Sequence, residues 1–495
     1  MTKPIYVYSE TTKQKEIFAP MKKGEISMYV CGSTVYNYIH VGNARPIVVF
    51  DFIRRFLEYM GYKVTYVHNF TDIDDKMIQR AKRDNTTVKE LVDRFVAEYY
   101  TDEKGLGARP ASFHPKATEH IPEIIELIET LIQKNHAYAS KKDENGNSDV
   151  YFSTKSFPEY GKLSNMNTDD LEAGDRVDAS FVEEKEDPLD FALWKAKKEG
   201  EPSWASPWGE GRPGWHIECS AMAKKYLGDT IDFHCGGVDL IFPHHENEIA
   251  QSECASGKPF VRYWLHNGMI NINGGKMAKS AGNFFTVRDI GEKYGYMPIR
   301  FFLLSSTYRT PVNFSEEVIT ASKNALDRIF TFGENIDFLL KNAQSPVGAA
   351  DTPEKKGAGA DSEMAKILSY REKLIDALCD DFNTANAIAA LFDFIREANT
   401  MINTAKPSKK LLETIKDFYG EFCGLFGFVP EAAASDISDE YIEAQIEKRA
   451  AAKKAKDFSA ADEIRDSLKS LGIALEDTPS GTKWKVESGK LKVES

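Results

Sequence analysis

"SMYVCGSTVYNYIHVGNARPIVVFDFIRRFLEYMGYKVTYVHNFTD", residues 27–72, alternates a strand, a loop, a helix and a second strand. "SMYVCG" is a short apolar β run. "VVFDFIRRFLEYMGY" carries apolar residues at helical spacing and stops at Gly61, and "KVTYVHNFTD" is the second strand. Strand, crossover helix and strand make a βαβ unit, which sets the strands parallel and the ligand site at their carboxyl ends. The fold class is therefore α/β, and a ligand is expected at the loop from Cys31 to Gly42.

Outward from this unit the pattern breaks and resumes. Residues 115–215 hold an amphipathic helix ("IPEIIELIETLIQK"), a polar turn ("KKDENGNSD"), a β run ("VYFST") and a Trp-, Pro- and Gly-rich stretch ("EPSWASPWGEGRPGW"). They read as an insertion into the sheet domain. The α/β pattern returns with "TIDFHCGGVDL" as strand and loop, a helix after Pro243, and "VRYWLHNGMINING" as strand and turn. From about residue 311 strands are scarce, and long amphipathic helices predict a bundle reaching to 435. Residues 436–495 hold a charged helix pair and then a small hairpin, "IALEDTPSGTKWKVE". The predicted division is 1–310, 311–435 and 436–495.

Composition narrows the function classes. With 495 residues the chain is too long for one core. A net charge of −13 excludes a general polyanion binder, so any nucleic-acid contact must use local basic patches. "EKRAAAKKAK" (447–456) and "KWKVESGKLK" (483–492) are such patches, although a solvated helix face and a frayed tail are the first reading of them on sequence alone. No stretch of about 18 apolar residues and no leader-like N-terminus is present, so a cytoplasmic protein without a membrane partner is expected. Six scattered cysteines are too few for a disulfide framework and read as thiols or metal ligands.

"FPHHENEIAQSEC", residues 242–254, raises the metal question. Pro243 suits the first turn of a helix, and His244 and Glu248, four residues apart, share one face. The His-Glu-x-x-His pattern fails because Ile249 stands where its second histidine would be. Further ligands must come from other loops of the sheet domain, and Cys31 and Cys219 are the natural candidates. Two thiolates, an imidazole and a carboxylate suit zinc. The alternative is that the histidines cap and pack while the cysteines serve as small buried apolar residues.

Two short stretches bear on that choice. "HVGN" (40–43) opens a helix after the first strand, and "KMAKS" (276–280) follows a strand and a Gly-Gly turn. A helix N-terminus suits ATP phosphates, and two lysines on a glycine-flanked loop can neutralise charge as pyrophosphate leaves. In this order and context they resemble the HIGH and KMSKS signatures of class I aminoacyl-tRNA synthetases. With "MYVCGSTVYNYIHVGNAR", "NFTDIDDKMI", "GWHIECSAM", "HCGGVDLIFPHHENEIAQSEC" and "GKMAKS", nearly the whole chain resembles the cysteinyl-tRNA synthetase family.

The resemblance implies a Rossmann-like parallel-sheet catalytic domain with a connective insertion and a KMSKS loop at 275–282. A helical bundle binding the tRNA and a small α+β unit binding its anticodon would follow. It implies one zinc per chain on Cys31, Cys219, His244 and Glu248, with the substrate's sulfur as the next ligand, and magnesium with ATP. His40, Lys276 and Lys279 would be catalytic; Thr71, Trp215 and His234 would contact the amino acid; His40, Asn43, Asp239 and Lys279 would contact ATP. Phe458 and Asp462 would contact tRNA, although both also fit as packing or capping residues of the terminal helices. The implied partners are tRNA-Cys, ATP and L-cysteine, with no DNA. Asn43 replaces the second histidine of HIGH and Ala278 the serine of KMSKS, and modest kinetic effects are expected from both. Rival readings are a cysteine ligase with an amino-sugar acceptor and a non-catalytic tRNA-binding paralogue. About 180 residues of helical and basic C-terminal region argue against the first, and both signature lysines with all four ligands against the second.

Overall fold

A hairpin of β1 (Tyr6–Tyr8) and β2 (Lys15–Ile17) precedes the βαβ unit in the computed structural model. The structure describes residues 3–166, 185–272, 275–276, 285–343, 358–404, 407–430, 438–478 and 481–486. β3 (Glu25–Val30), α1 (Val41–Tyr59) and β4 (Lys63–His68) are the unit read from the sequence, with β3 and β4 parallel and Val30 opposite His68. α1 starts at Val41, ahead of the apolar run that predicted it, because His40 caps it. His40 Nδ1 accepts from the Asn43 N–H at 3.1 Å, and Asn43 Oδ1 accepts from the His40 N–H at 3.3 Å. α2 (Asp75–Asp84) and α3 (Val88–Gly105) follow.

The insertion is a helix on an antiparallel sheet. α4 (Ile121–Gln133) precedes β5 (Ala137–Ala139), β6 (Val150–Phe152), β7 (Phe191–Ala196), β8 (Trp204–Ser206) and β9 (Gly209–Pro213), in the sheet order β5-β6-β7-β9-β8. Ile124, Leu127, Ile128 and Leu131, on one stripe of α4, pack with Phe152, Leu193 and Trp194. The Trp-, Pro- and Gly-rich stretch thus forms two strands that its composition conceals. Its turn is held by the Ser206 hydroxyl donating to the Gly209 carbonyl at 2.6 Å.

α5 (Trp215–Leu227), β10 (Ile231–Gly237), α6 (Glu246–Ser256) and β11 (Val261–Asn267) complete the central sheet, whose order is β11-β10-β3-β4 with all strands parallel. β10 is buried from Ile231 to Gly236, as a strand covered on both faces must be. The chain leaves β3 toward β4 on one side and β10 toward β11 on the other. β3 and β10 therefore flank a topological switch point, where parallel α/β sheets open a ligand crevice.

β12 (Ile270–Ile272), β13 (Gly275–Lys276), α7 (Val287–Tyr294), α8 (Tyr296–Leu304) and β14 (Val312–Phe314) come next. β12 is the centre of a second small sheet, antiparallel to β13 and parallel to β14. The rest of the chain is α9 (Glu316–Ala343), α10 (Ala358–Cys379), α11 (Thr384–Thr404), α12 (Lys409–Phe426), α13 (Asp439–Lys454), α14 (Phe458–Ser470) and the hairpin β15 (Ile473–Thr478) with β16 (Gly481–Val486).

Two compact units result. The first comprises Met1–Leu326, Ser369–Asp393 and Phe422–Phe428 and contains both sheets and the insertion. The second comprises Asp327–Leu368, Phe394–Glu421 and Val429–Ser495. Within it Phe394 meets Phe332 and Phe418 edge to face, and the terminal helices and hairpin close over Ile442, Leu468 and Ile473. Arg449 there forks onto both carboxylate oxygens of Asp477 at 2.7 and 2.8 Å. No described helix is long and apolar enough to cross a membrane.

Candidate active site

Three distant segments bring four side chains together at the switch point. Cys31 is the residue after β3, Cys219 lies in the first turns of α5, His244 lies in the helical turn Ile241–His245 that leads into α6, and Glu248 follows one turn later in α6. The sheet ends are fastened together there: the Cys31 N–H donates to the Cys235 carbonyl at 2.9 Å, and the Gly32 N–H to Asn69 Oδ1 at 2.9 Å. Gly32 is required, since a Cβ at that position would fall 1.6 Å from the Asn69 carbonyl oxygen.

The four side chains are buried and their donor atoms lie within 4.8 Å of one another. Cys31 Sγ is 3.8 Å from Cys219 Sγ and 3.3 Å from Glu248 Oε1, and His244 Nε2 is 3.1 Å from the same oxygen. Two sulfurs each about 2.3 Å from a tetrahedral zinc would be separated by about 3.8 Å. The sulfur pair thus already spans such an edge.

Electrostatics favours a cation among them. Burial pushes the Cys31 thiol well up, whereas its hydrogen bond to Cys219 draws that thiol down to about 6. Burial would raise the Glu248 carboxyl, yet His234 and His244 hold it at about 2. Burial also opposes charge on His244, yet Glu248 and Cys219 lift it to about 10. A buried thiolate and carboxylate are only partly offset here by a protonated imidazole, whose place a dication can take with all four groups as ligands.

Neighbours orient these groups. His216 Nδ1 lies 2.9 Å from His244 Nδ1, which leaves His244 Nε2 facing the cluster, and His234 Nε2 lies 2.9 Å from Glu248 Oε2. Gln251 donates to the His216 carbonyl at 2.9 Å and to the Ser220 hydroxyl at 2.8 Å. Trp215 stacks on His244 with centroids 4.4 Å apart and stays 43 % exposed, so its indole forms a wall over the cluster. His245 pairs with His266 through Nδ1 at 2.8 Å. His216, His266 and Gln251 had no part in the sequence reading, which gave His245 only a capping and packing role. Only His216 carried a signal, standing three residues before Cys219 on one helix face.

The other predicted residues are distributed as follows. Thr71 is buried and bridges to Thr34, and its carbonyl accepts from the Val35 N–H at 3.2 Å, beside the loop that begins at Cys31. Asp239 is exposed on the helical turn after β10. His40 and Asn43 form the α1 cap; with Nδ1 accepting, the proton of the neutral His40 ring is on Nε2. Lys276 ends β13, opposite Asn271. Lys279 and Ala278 lie outside the described residues. Phe458, 64 % exposed, and Asp462, paired with Arg465 at 3.2 Å, lie on α14 in the other compact unit and do not join this cluster. Cys235 is buried outside the ligand set, its thiol pushed well up by burial.

Comparison with known proteins agrees with this geometry. The family described as tRNA synthetases class I (C) catalytic domain matches residues 17–324, and the DALR domain matches residues 373–430. The cysteine–tRNA ligase of Caldicellulosiruptor saccharolyticus is 54% identical over 479 residues, 96% of this chain and 98% of that protein. That of Lachnoclostridium phytofermentans is 51% identical over 482 residues, 97% of this chain and 99% of that protein. Among solved structures, Mycobacterium tuberculosis methionyl-tRNA synthetase bound by methionyl-adenylate is similar in fold, with a TM-score of 0.62 at 14% identity over 81% of this chain and 92% of that one.

Proposed function

The chain belongs to the cysteine–tRNA ligase family of class I aminoacyl-tRNA synthetases, and from that premise we propose how its residues perform the ligation. The enzyme activates L-cysteine with ATP and passes it to tRNA. We assign Cys31, Cys219, His244 and Glu248 as the ligands of one zinc ion; the 3.8 Å sulfur pair within a buried, negatively charged donor set carries this reading. Zinc held there would bind the substrate sulfur as thiolate and so prefer cysteine to serine, a selection that an apolar pocket cannot make strongly.

Around the bound amino acid we assign Trp215 as an apolar wall, with Thr71 and His234, both buried, as further contacts. In the first step the cysteine carboxylate attacks the α-phosphorus of magnesium-bound ATP, forming the acyl-phosphate bond as the bond to pyrophosphate breaks. His40 Nε2–H and the amides at the N-terminus of α1 bind phosphate oxygens, and Asp239 accepts from the ribose hydroxyls. Lys276 and Lys279 neutralise the charge developing on the departing pyrophosphate. In the second step the terminal ribose hydroxyl of tRNA attacks the cysteinyl carbonyl and AMP leaves. The helical region and the α13–β16 unit, with Phe458 and Asp462, bind the tRNA. The division 1–310, 311–435 and 436–495 is retained as the functional one: catalysis, stem binding and anticodon binding.

Cysteine-dependent exchange of labelled pyrophosphate into ATP tests this reading. The unmodified chain should support it, and Lys279→Ala should slow it by about two orders of magnitude or more. Near-normal exchange by the variant would remove Lys279 from that role.

A further inference from the structure

Arg45 is fully buried, in the first turns of α1, and its guanidinium faces main-chain oxygens rather than a carboxylate. Nη1 donates to the carbonyls of Gly268 at 2.7 Å and Met269 at 3.0 Å; Nη2 donates to those of Thr310 at 2.5 Å, Tyr308 at 3.1 Å and Thr307 at 3.4 Å. Arg300, the other fully buried guanidinium among the described residues, is bonded to Asp51 at 2.6 Å in the ordinary way. A buried charge held by carbonyl dipoles alone is costly, and a guanidinium is retained in such a place when its rigid fork joins groups that nothing else joins.

The groups joined here are two turns. Residues 268–269 lead into β12, and residues 307–310 lead into β14. The turns touch: the Gly268 N–H donates to the Tyr308 carbonyl at 2.8 Å, and a Cβ on Gly268 would come within 2.6 Å of the Arg309 carbonyl oxygen. β12 and β14 pair in one small sheet with β13, the strand that ends in Lys276. At the other end of α1's first turns, the Val41 N–H donates to Phe285 O at 3.3 Å and the Val287 N–H to Ile39 O at 2.9 Å. The helix whose N-terminus carries His40 and Asn43 is therefore fastened through Arg45 to the turns that lead into β12 and β14, and through Ile39 and Val41 to the start of α7.

On the ligase reading above, we propose that Arg45 is a positioning residue for adenylate formation: its fork sets the separation between the α1 N-terminus and the sheet carrying Lys276. It contacts neither substrate nor metal ligands. A displacement of about 1 Å between groups that converge on one phosphate chain costs up to about 100-fold in rate.

Arg45→Lys keeps the charge but loses the fork, and Gly268→Ala presses apart the two turns that the fork joins while leaving the Arg45 side chain itself unaltered. Both are compared with the unmodified chain by pyrophosphate exchange, zinc content and amide hydrogen exchange. The expected result is a fall in kcat of about 10- to 100-fold, with KM for cysteine and zinc content unchanged. Faster amide exchange should be confined to 268–272 and 307–314. Unchanged kcat would overturn the proposal, as would a loss of kcat that only accompanies loss of zinc and of overall protection. No pyrophosphate exchange in the unmodified chain would overturn the ligase reading instead. The amide pattern, which needs no activity, tells that outcome from failure of the clamp.

Discussion

Cys31 Sγ and Cys219 Sγ stand 3.8 Å apart although 188 residues separate them in sequence, and Glu248 Oε1 lies within 3.3 Å of the first. The switch point between β3 and β10 makes this possible, because it brings the loop after β3 against the helix ends that flank β10. Sulfurs at that spacing are not a disulfide, and with His244 and Glu248 they form a buried cluster able to hold a metal ion.

Glu248→Gln keeps the volume of the ligand and removes its charge. It also leaves His234 facing a neutral amide in place of a carboxylate at 2.9 Å. Zinc content after dialysis should fall from about one per chain to well under half. Undiminished metal by elemental analysis would take Glu248 out of the ligand set.

His216 orients His244 without belonging to the donor set, so His216→Ala should leave the fold in place and weaken metal binding by about 10- to 100-fold. Competition against a chromogenic chelator measures this directly. A loss below twofold would mean that the 2.9 Å contact between the two rings does not orient the ligand.

These two predictions draw on residues that were unequally legible in the sequence. His244 and Glu248 announced themselves by helical spacing, and Cys31 by its place after the first strand. Cys219 emerged from its motif. The contact of His234 with Glu248 did not, because it depends on β10 lying between β3 and β11, with His234 opposite Tyr29 on one side and Trp264 on the other. Periodicity identifies a strand but not its neighbours. The parallel sheet, the bundle helices and the terminal helix pair with its hairpin were readable for the same local reason. β8 and β9 were hidden by glycine and proline, whose strand pairing is decided by the turn between them rather than by propensity. The carbonyl partners of Arg45 had no signal in sequence, since main-chain acceptors are the same at every residue.

Phe458 leaves 64 % of its surface exposed at the start of α14, more than a packing role needs. Phe458→Ala should raise KM for tRNA about tenfold, the worth of one stacked base, with cysteine-dependent pyrophosphate exchange intact. Equal falls in both activities would make the ring structural.

Glu103 supplies a pH test in a buried cluster away from the metal ligands. Its carboxyl accepts from the Tyr99 hydroxyl at 3.3 Å, and burial raises it to about 8. A carboxyl whose folded pKa exceeds its unfolded one stabilises the fold most below pH 4.5, and that stability is lost as pH rises through about 8. Its neighbours His68 and His114, drawn down by burial to about 3 and about 4, act only below pH 6.5. Between pH 6.5 and 8.5 the unfolding midpoint of Glu103→Gln should therefore gain on that of the unmodified chain by about 2–4 °C. A difference independent of pH would show that Glu103 is ionised in the folded protein.

On the proposed reading, a metal site built on Cys31, Cys219, His244 and Glu248 selects cysteine for transfer to tRNA. The most direct measurement is charging of unfractionated tRNA with labelled cysteine and, in parallel, labelled serine, before and after removal of zinc by a chelator. Cysteine should be transferred with serine rejected by about 10⁴-fold or more, and cysteine charging should be lost when the metal is removed. Comparable charging with serine, or cysteine charging that survives complete loss of metal, would contradict that reading.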